Sequence, residues 1–269
     1  MDEKIYQVPA LEHAIKMLQF LQSRHHRPWG VSELSRSLGL NKSTCFSILK
    51  TLERYGFVAC DEATKKYALG SALIELGGAA AATATRSEIT KPFLQDLFEE
   101  LHLTCLLGHR FQDKVVIIDK VEAPDAFRIT VPIGQVLPLS LGAMGKSFLA
   151  YMREAEIDRV ITAEAGEEAE GRRLRKYLRL KRELEEIRRR GFAESFGEIA
   201  KGVNAVAAPI FNHQGQVILA LGAIGLHSAL PPRRLARLGR KVKEVAGLIA
   251  RAMGGRPAGI RSQGSGGKG

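Results

Sequence analysis

The sequence predicts an α+β chain in two parts: a small helical head closed by a β-hairpin, then a larger, mostly antiparallel sheet with helices packed on it. Three observations predict this. Residues 31–50 carry two short amphipathic helical patterns around a Leu38-Gly39-Leu40 break. Residues 57–69 read as two short strands flanking a polar turn. From Thr104 onward, strand-like runs are joined mostly by hairpin-length turns, which favours antiparallel pairing.

The head begins with a helix over residues 10–24, where Leu11, Ile15, Leu18 and Leu21 (or Ala14) are expected to face inward. Pro28-Trp29-Gly30 separates it from the next helix. In the helix after Asn41, Cys45, Ile48, Leu49 and Leu52 fall on one side at spacing i, i+3, i+4, i+7. Ser43, Ser47, Lys50 and Arg54 fall together on the other. One face can therefore pack while the other offers hydroxyls and cations to a polyanion, as a helix-turn-helix does in the DNA major groove. Phe46 flanks that face, where it can touch a thymine methyl. Asn41 is expected to cap the helix and hold its free N–H groups near the groove. Ser32, Lys42 and Thr44 complete the candidate surface. Gly56 suits a left-handed helix end. Residues 57–60 and 66–69 then form a hairpin wing around the turn 61–65, directing Lys65 and Lys66 at a phosphate backbone. The competing reading of residues 31–50 is a helical hairpin with a solvated polar side.

Residues 71–85 form an alanine-rich helix whose small side chains let a partner helix approach, a pairing element between copies. Residues 88–103 form another amphipathic helix, with Pro92 in its first turn. Strands are expected at 104–111, 115–121 and 127–133, then a helix at 141–152. A charged helix over 172–190 presents Leu174, Tyr177, Leu178, Leu184 and Ile187 as its apolar stripe. Strands 203–211 and 216–226 flank the turn Asn212-His213-Gln214-Gly215. A last helix, 233–253, buries Leu235, Leu238, Val242, Val245 and Ile249. Residues 254–269, rich in Gly, Ser and Arg, are expected to be disordered.

Length and composition bound the rest. A chain of 269 residues is long enough for two domains. Its start is polar and acidic, unlike a secretory signal, and no apolar run approaches the ~18–20 residues of a membrane span. Three cysteines, Cys45, Cys60 and Cys105, form no disulfide framework, which points to a reducing cytoplasm. The net charge of +11 suggests an anionic partner, yet residues 1–70 carry ten Lys/Arg against seven Asp/Glu. Residues 233–269 carry ten against one. The argument for DNA therefore rests on where Lys42, Lys50, Lys65 and Lys66 project, and not on total charge.

Features that look chemical are weaker. Gly264-Ser265-Gly266-Gly267-Lys268 lacks the Ser/Thr, strand and helix of a phosphate loop. His102, Cys105 and His109 straddle a helix end and a strand, with no fourth metal ligand in view. Glu194 and Glu198 read as solvated rather than as an acid/base pair. Neither a cofactor nor a metal nor catalysis is expected. The segment Gly142-Ala143-Met144-Gly145-Lys146-Ser147 reads instead as a ligand cradle, because a loop entering a helix presents free N–H groups to a carboxylate.

Taken in order, LEHAIKMLQFL, VSELSRSLGLNKSTCFSILKTLERYGFV, KYALGSALIELG, LPLSLGAMGKSFLA, GFAESFGEIAKGVNAVAAPIF and GQVILALGAIG resemble the IclR family of bacterial transcriptional regulators over residues 8–253. The resemblance implies a winged helix-turn-helix (8–70), a linker and dimerisation helix (71–87) and a GAF-like effector-binding domain (88–253). It also implies an effector pocket at Gly142, Ala143, Met144, Ser195, Ala205, Gly222 and Ile224. Members that bind small oxo-acids often carry a polar residue where Ala205 stands and serines at Gly222 and Ile224. The chain is thus expected to hold a less polar cavity, roomier at Gly222, for an acid with an apolar, aromatic or medium-chain body. Family members often have a basic or imidazole pair at Phe46-Ser47 and an arginine at His13, so the operator sequence is not transferable. The implied partners are double-stranded DNA with a palindromic operator, a small organic acid, and a second copy of the chain or a dimer of dimers. Two other classes stay open: an enzyme with an accessory nucleic-acid domain, and a DNA-structuring protein without an effector.

Overall fold

The computed structural model describes residues 8–24, 27–122, 129–164 and 170–255. The chain divides into two compact units between residues 81 and 82. The first holds α1 (Pro9–Ser23), β1 (Trp29–Gly30), α2 (Val31–Leu38), α3 (Lys42–Arg54), β2 (Val58–Asp61) and β3 (Lys66–Leu69). Glycine sets both breaks around α3. Gly39 takes φ 65° to end α2, and Leu40 N–H reaches back to Ser35 O at 2.9 Å. Gly56, at φ 71°, lets Phe57 N–H close on Leu52 O at 2.8 Å.

Met17, Leu21, Leu34, Cys45, Leu49, Val58 and Tyr67 form the core of this head. The inward stripe of α1 differs from the expected one. Leu11 and Ile15 are 59% and 46% exposed, while Met17 and Leu21 are buried with Leu18 packed beside them. This helix is apolar over much of its circumference, so periodicity alone does not choose the stripe. The wing also gains a strand: β3 lies between β1 and β2, with Tyr67 opposite both Trp29 and Cys60. Two residues between Pro28 and α2 are too short to read as a strand from sequence.

α4 (Ala72–Thr85) runs across the boundary between the units, with Ile74 and Leu76 exposed. The second unit continues with α5 (Ser87–Leu101), β4 (Thr104–Phe111), β5 (Lys114–Val121), β6 (Val136–Pro138), α6 (Gly142–Leu149), α7 (Glu154–Glu164), α8 (Glu170–Arg190), β7 (Ala193–Phe196), β8 (Val203–Phe211), β9 (Val217–Leu226) and α9 (Pro232–Ala252). Its six strands run in the order β6-β5-β4-β9-β8-β7, every neighbouring pair antiparallel. Period-2 alternation divides the sheet into two unlike faces. Leu107, Ala208, Leu219 and Leu221 pack with α5 and α9, and Leu106, Ala207 and Ala220 pack with α6, α7 and α8. The second face is the one lined by small residues. It lets α6 approach closely: a Cβ at Gly145 would lie 2.2 Å from Pro138 O.

Three further expectations need correction. The strand expected at 127–133 is replaced at the sheet edge by β6; residues 123–128 lie outside the described residues, and Gly134, at φ 86°, turns the chain just before β6. α7 and β7 were not foreseen, although Ile157, Val160 and Ile161 do repeat at helical spacing. On α8, Leu184 and Ile187 are buried as expected, whereas Leu174 and Leu178 are exposed and Leu180 packs instead. Residues 256–269, including the segment 264–268, lie outside the described residues. Among the described residues no helix is long and apolar enough to cross a membrane.

Because Leu49 is fully buried where α3 meets the rest of the head, Leu49→Ala should cost about 2–5 kcal/mol of head stability. Urea unfolding followed at Trp29, the chain's single tryptophan, checks this. An unchanged midpoint would show that α3 is not anchored there.

Candidate functional site

The exposed side of α3 carries Lys42, Ser43, Thr44, Phe46, Ser47, Lys50 and Arg54, with Cys45 and Leu49 buried on its reverse. Ser32 is exposed in the first turn of α2. The Asn41 backbone is extended at the N-cap, and its carbonyl accepts from Cys45 N–H at 2.9 Å. Its side chain makes no capping hydrogen bond, contrary to expectation, so the N–H groups of the first turn stay available to another acceptor. Lys50 Nζ pairs with Glu53 at 2.8 Å, and this partner raises the lysine's pKa. Both groups are solvated, so the pair is weak. At the wing tip, Asp61 accepts from Thr64 N–H and Thr64 Oγ at 2.7 Å, and Lys65 is exposed in a left-handed conformation. Lys66 is half-buried in the middle strand, within electrostatic range of Glu33. Sequence reasoning missed Arg27, whose guanidinium stacks 3.6 Å from the Trp29 ring centroid and bonds Glu33 at 3.0 Å beside α2.

In the second unit the seven residues of the implied pocket line a single cavity of about 230 Å³. They come from three places: Gly142, Ala143 and Met144 from the start of α6, Ser195 from β7, and Ala205, Gly222 and Ile224 from β8 and β9. Antiparallel register brings the last three together, with Ala205 opposite both Ser195 and Ile224. Leu106, Val131, Leu137, Leu141 and Ile199 close the walls. Two backbone hydrogen bonds, Ile117 N–H to Gln135 O and Gly134 N–H to Ile117 O, hold the 129–135 wall. Ser195 is only 2% exposed, and its hydroxyl has no partner among the described residues. The lining is otherwise largely apolar. The extra room expected at Gly222 is filled: a Cβ there would meet Met144 Cε at 2.7 Å, and one at Gly108 would meet Met144 Sδ at 2.3 Å. Met144 lies in the groove those two glycines leave.

The α6 N-terminus is organised by a group that the sequence reading left in solvent. Glu198 Oε2 accepts from Gly142 N–H at 3.0 Å, and Glu198 Oε1 pairs with Lys146 Nζ at 2.7 Å. Lys146 is 1% exposed and also bonds Glu183. A lysine inside GAMGKSFL, a helix buried along its whole length, was the available signal that a carboxylate had to be near. Glu194 instead pairs with Arg190 at 3.0 Å. His102, Cys105 and His109 do not converge. His102 ends α5 against Phe98, and Cys105 is buried in the core, which pushes its thiol pKa up to about 12. Among the described residues no three His, Cys, Asp or Glu side chains gather as a metal site.

A three-helix head with a small sheet, its third helix solvated along one polar face, is the build of a winged helix-turn-helix DNA-binding protein. Comparison with known proteins carries the assignment further. Residues 10–62 match the model of the IclR helix-turn-helix domain, and residues 81–251 match that of the bacterial transcriptional regulator IclR C-terminal domain. The HTH-type transcriptional regulator XynR of Escherichia coli is 28% identical over 247 residues, 92% of this chain and 98% of that protein. The Transcriptional repressor IclR of the same organism is 27% identical over 93% of this chain and 91% of that protein. A solved IclR-type regulator from Alicyclobacillus acidocaldarius superposes with a TM-score of 0.78 at 32% identity, covering 93% of this chain and all of that one. The chain belongs to the IclR family of bacterial transcriptional regulators.

If Lys50 contacts phosphate, Lys50→Ala should weaken binding to all DNA sequences alike. It should also flatten the dependence of log K on log salt by about one unit. Fluorescence anisotropy at several salt concentrations reads both, and an unchanged slope would remove Lys50 from the phosphate contacts.

Proposed function

We propose that the chain is a sequence-specific transcriptional regulator that binds a palindromic operator as a dimer or dimer of dimers and responds to a small organic acid. Ser43, Ser47, Lys50 and Arg54 of α3 meet base edges and phosphates in the major groove, flanked by Ser32, Asn41, Lys42, Thr44 and Phe46. Lys65 and Lys66 of the wing reach the adjacent backbone. One such head reads few base pairs, so specificity requires two heads about 34 Å apart or a multiple of that spacing. The exposed Leu11 and Ile15 of α1, and Ile74 and Leu76 of α4, supply apolar surface for pairing.

The reading of the second unit rests on one observation: Gly142, Ala143, Met144, Ser195, Ala205, Gly222 and Ile224, distant in sequence, share one largely apolar cavity. At about 230 Å³ it is smaller than the ~300–1,000 Å³ typical of drug-sized ligands. That suits an acid with a compact aromatic or medium-chain body lying over Ala205 and Ile224. Its carboxylate faces the first-turn N–H groups of α6 and the Ser195 hydroxyl. Binding then shifts the population between arrangements of the two heads that match the operator spacing and arrangements that do not.

Isothermal titration against benzoate, phenylacetate, hexanoate, pyruvate and glyoxylate tests the effector class. Aromatic or medium-chain acids should bind and alter a footprint on DNA upstream of the chain's own gene. Tight binding of pyruvate or glyoxylate, with silence from the larger acids, would overturn the assignment.

A further inference from the structure

We propose that Glu198 is a built-in competitor for the anionic end of the effector, and thereby sets how strongly the cavity accepts acids. The inference rests on the reading of this cavity as an acid site. An entering carboxylate and the Glu198 carboxylate want the same donors. Gly142 N–H already gives its hydrogen bond to Glu198 Oε2 at 3.0 Å. Ala143 and Met144, next in that first turn, have N–H groups that no carbonyl four residues back within α6 can accept. The cavity offers the ligand a second polar group as well: Ser195, 2% exposed and lining the same space, has a hydroxyl without a partner among the described residues.

The chain is also arranged so that Glu198 can leave. Its other oxygen is on Lys146, but Lys146 keeps Glu183 as a second counter-charge, so turning Glu198 away does not strand a buried cation. The segment that carries Glu198 rests on the cradle. A Cβ at Gly142 would lie 2.9 Å from Ile199 Cγ1, and Gly142 itself holds φ 75°, so this contact depends on glycine. Two carboxylates at one helix N-terminus repel, and Glu198, already 27% exposed, is the one that can turn out to water. Acid binding therefore exchanges the effector carboxylate for Glu198 at Gly142 and lifts residues 197–202 from the cavity mouth. The fold thus has a moving part at the site where the ligand binds.

The decisive variant is Glu198→Gln, which keeps the shape and removes the charge. Benzoate affinity, measured by isothermal titration, should rise about tenfold or more, while affinity for the neutral isostere benzamide should change little. In the wild-type chain, hydrogen–deuterium exchange with saturating benzoate should slow the amides of 142–144 and speed those of 197–202. Equal benzoate affinity in wild type and Glu198→Gln would overturn the exchange and leave the acid site standing. Failure of every acid in the panel to bind either protein would overturn both. Should Glu198→Gln not fold, the wild-type exchange experiment decides alone, and slowed amides throughout 197–202 would sink the proposal.

Discussion

Lys146 is the constraint around which the second unit is arranged. A fully buried ammonium is tolerated only with a carboxylate against it, and leaving it with none would cost about 3–5 kcal/mol. Two glutamates from different elements further along the chain answer it, Glu183 on α8 and Glu198 in the turn between β7 and β8. One buried charge thus ties α6 to a long surface helix and to a loop. Because Glu198 uses its second oxygen on Gly142 N–H, the same charge fixes where α6 begins. The cavity mouth lies beside that start.

The sheet makes room for this by being lopsided. On β8 and β9 the residues facing α9 include Val206, Ala208, Leu219 and Leu221, whereas those facing α6 include Ala207, Ala220 and Gly222. The large residues on one side make a conventional core with Leu235, Leu238, Val242 and Ile249. The small ones on the other admit a short helix whose backbone comes almost into contact with Pro138 O. Eight residues of helix do not cover that face, and the uncovered part near Ala205 and Ile224 becomes the cavity. The head follows a different economy. Its seven-residue core leaves one side of α3 free, and glycines at 39 and 56 set the limits of the two helices around it.

Much of this was legible in the sequence because periodicity, glycine placement and turn chemistry agree. The polar face of α3, the hairpin at 212–215 and the inward stripe of α9 follow from spacing alone. The pocket residues were a different matter: the resemblance pointed to them, and no spacing rule joins Gly142 to Gly222. What stayed hidden was tertiary. The choice between two apolar stripes on α1 depends on which one meets Leu34 and Leu49. Two residues at Trp29-Gly30 become a strand only because β3 has a free edge. Glu198 looked solvated because nothing local marks a glutamate that reaches back more than fifty residues to a lysine.

Met144 carries a consequence for how such a binding site diversifies. The floor of the cavity between Gly108 and Gly222 is one unbranched thioether, adaptable in shape and slow to dictate it. A side chain gained at either glycine displaces the thioether, and trimming Met144 leaves a trench across two strands. The shape of this cavity is therefore adjustable by single substitutions that leave the hydrogen-bonded ladder of the sheet untouched.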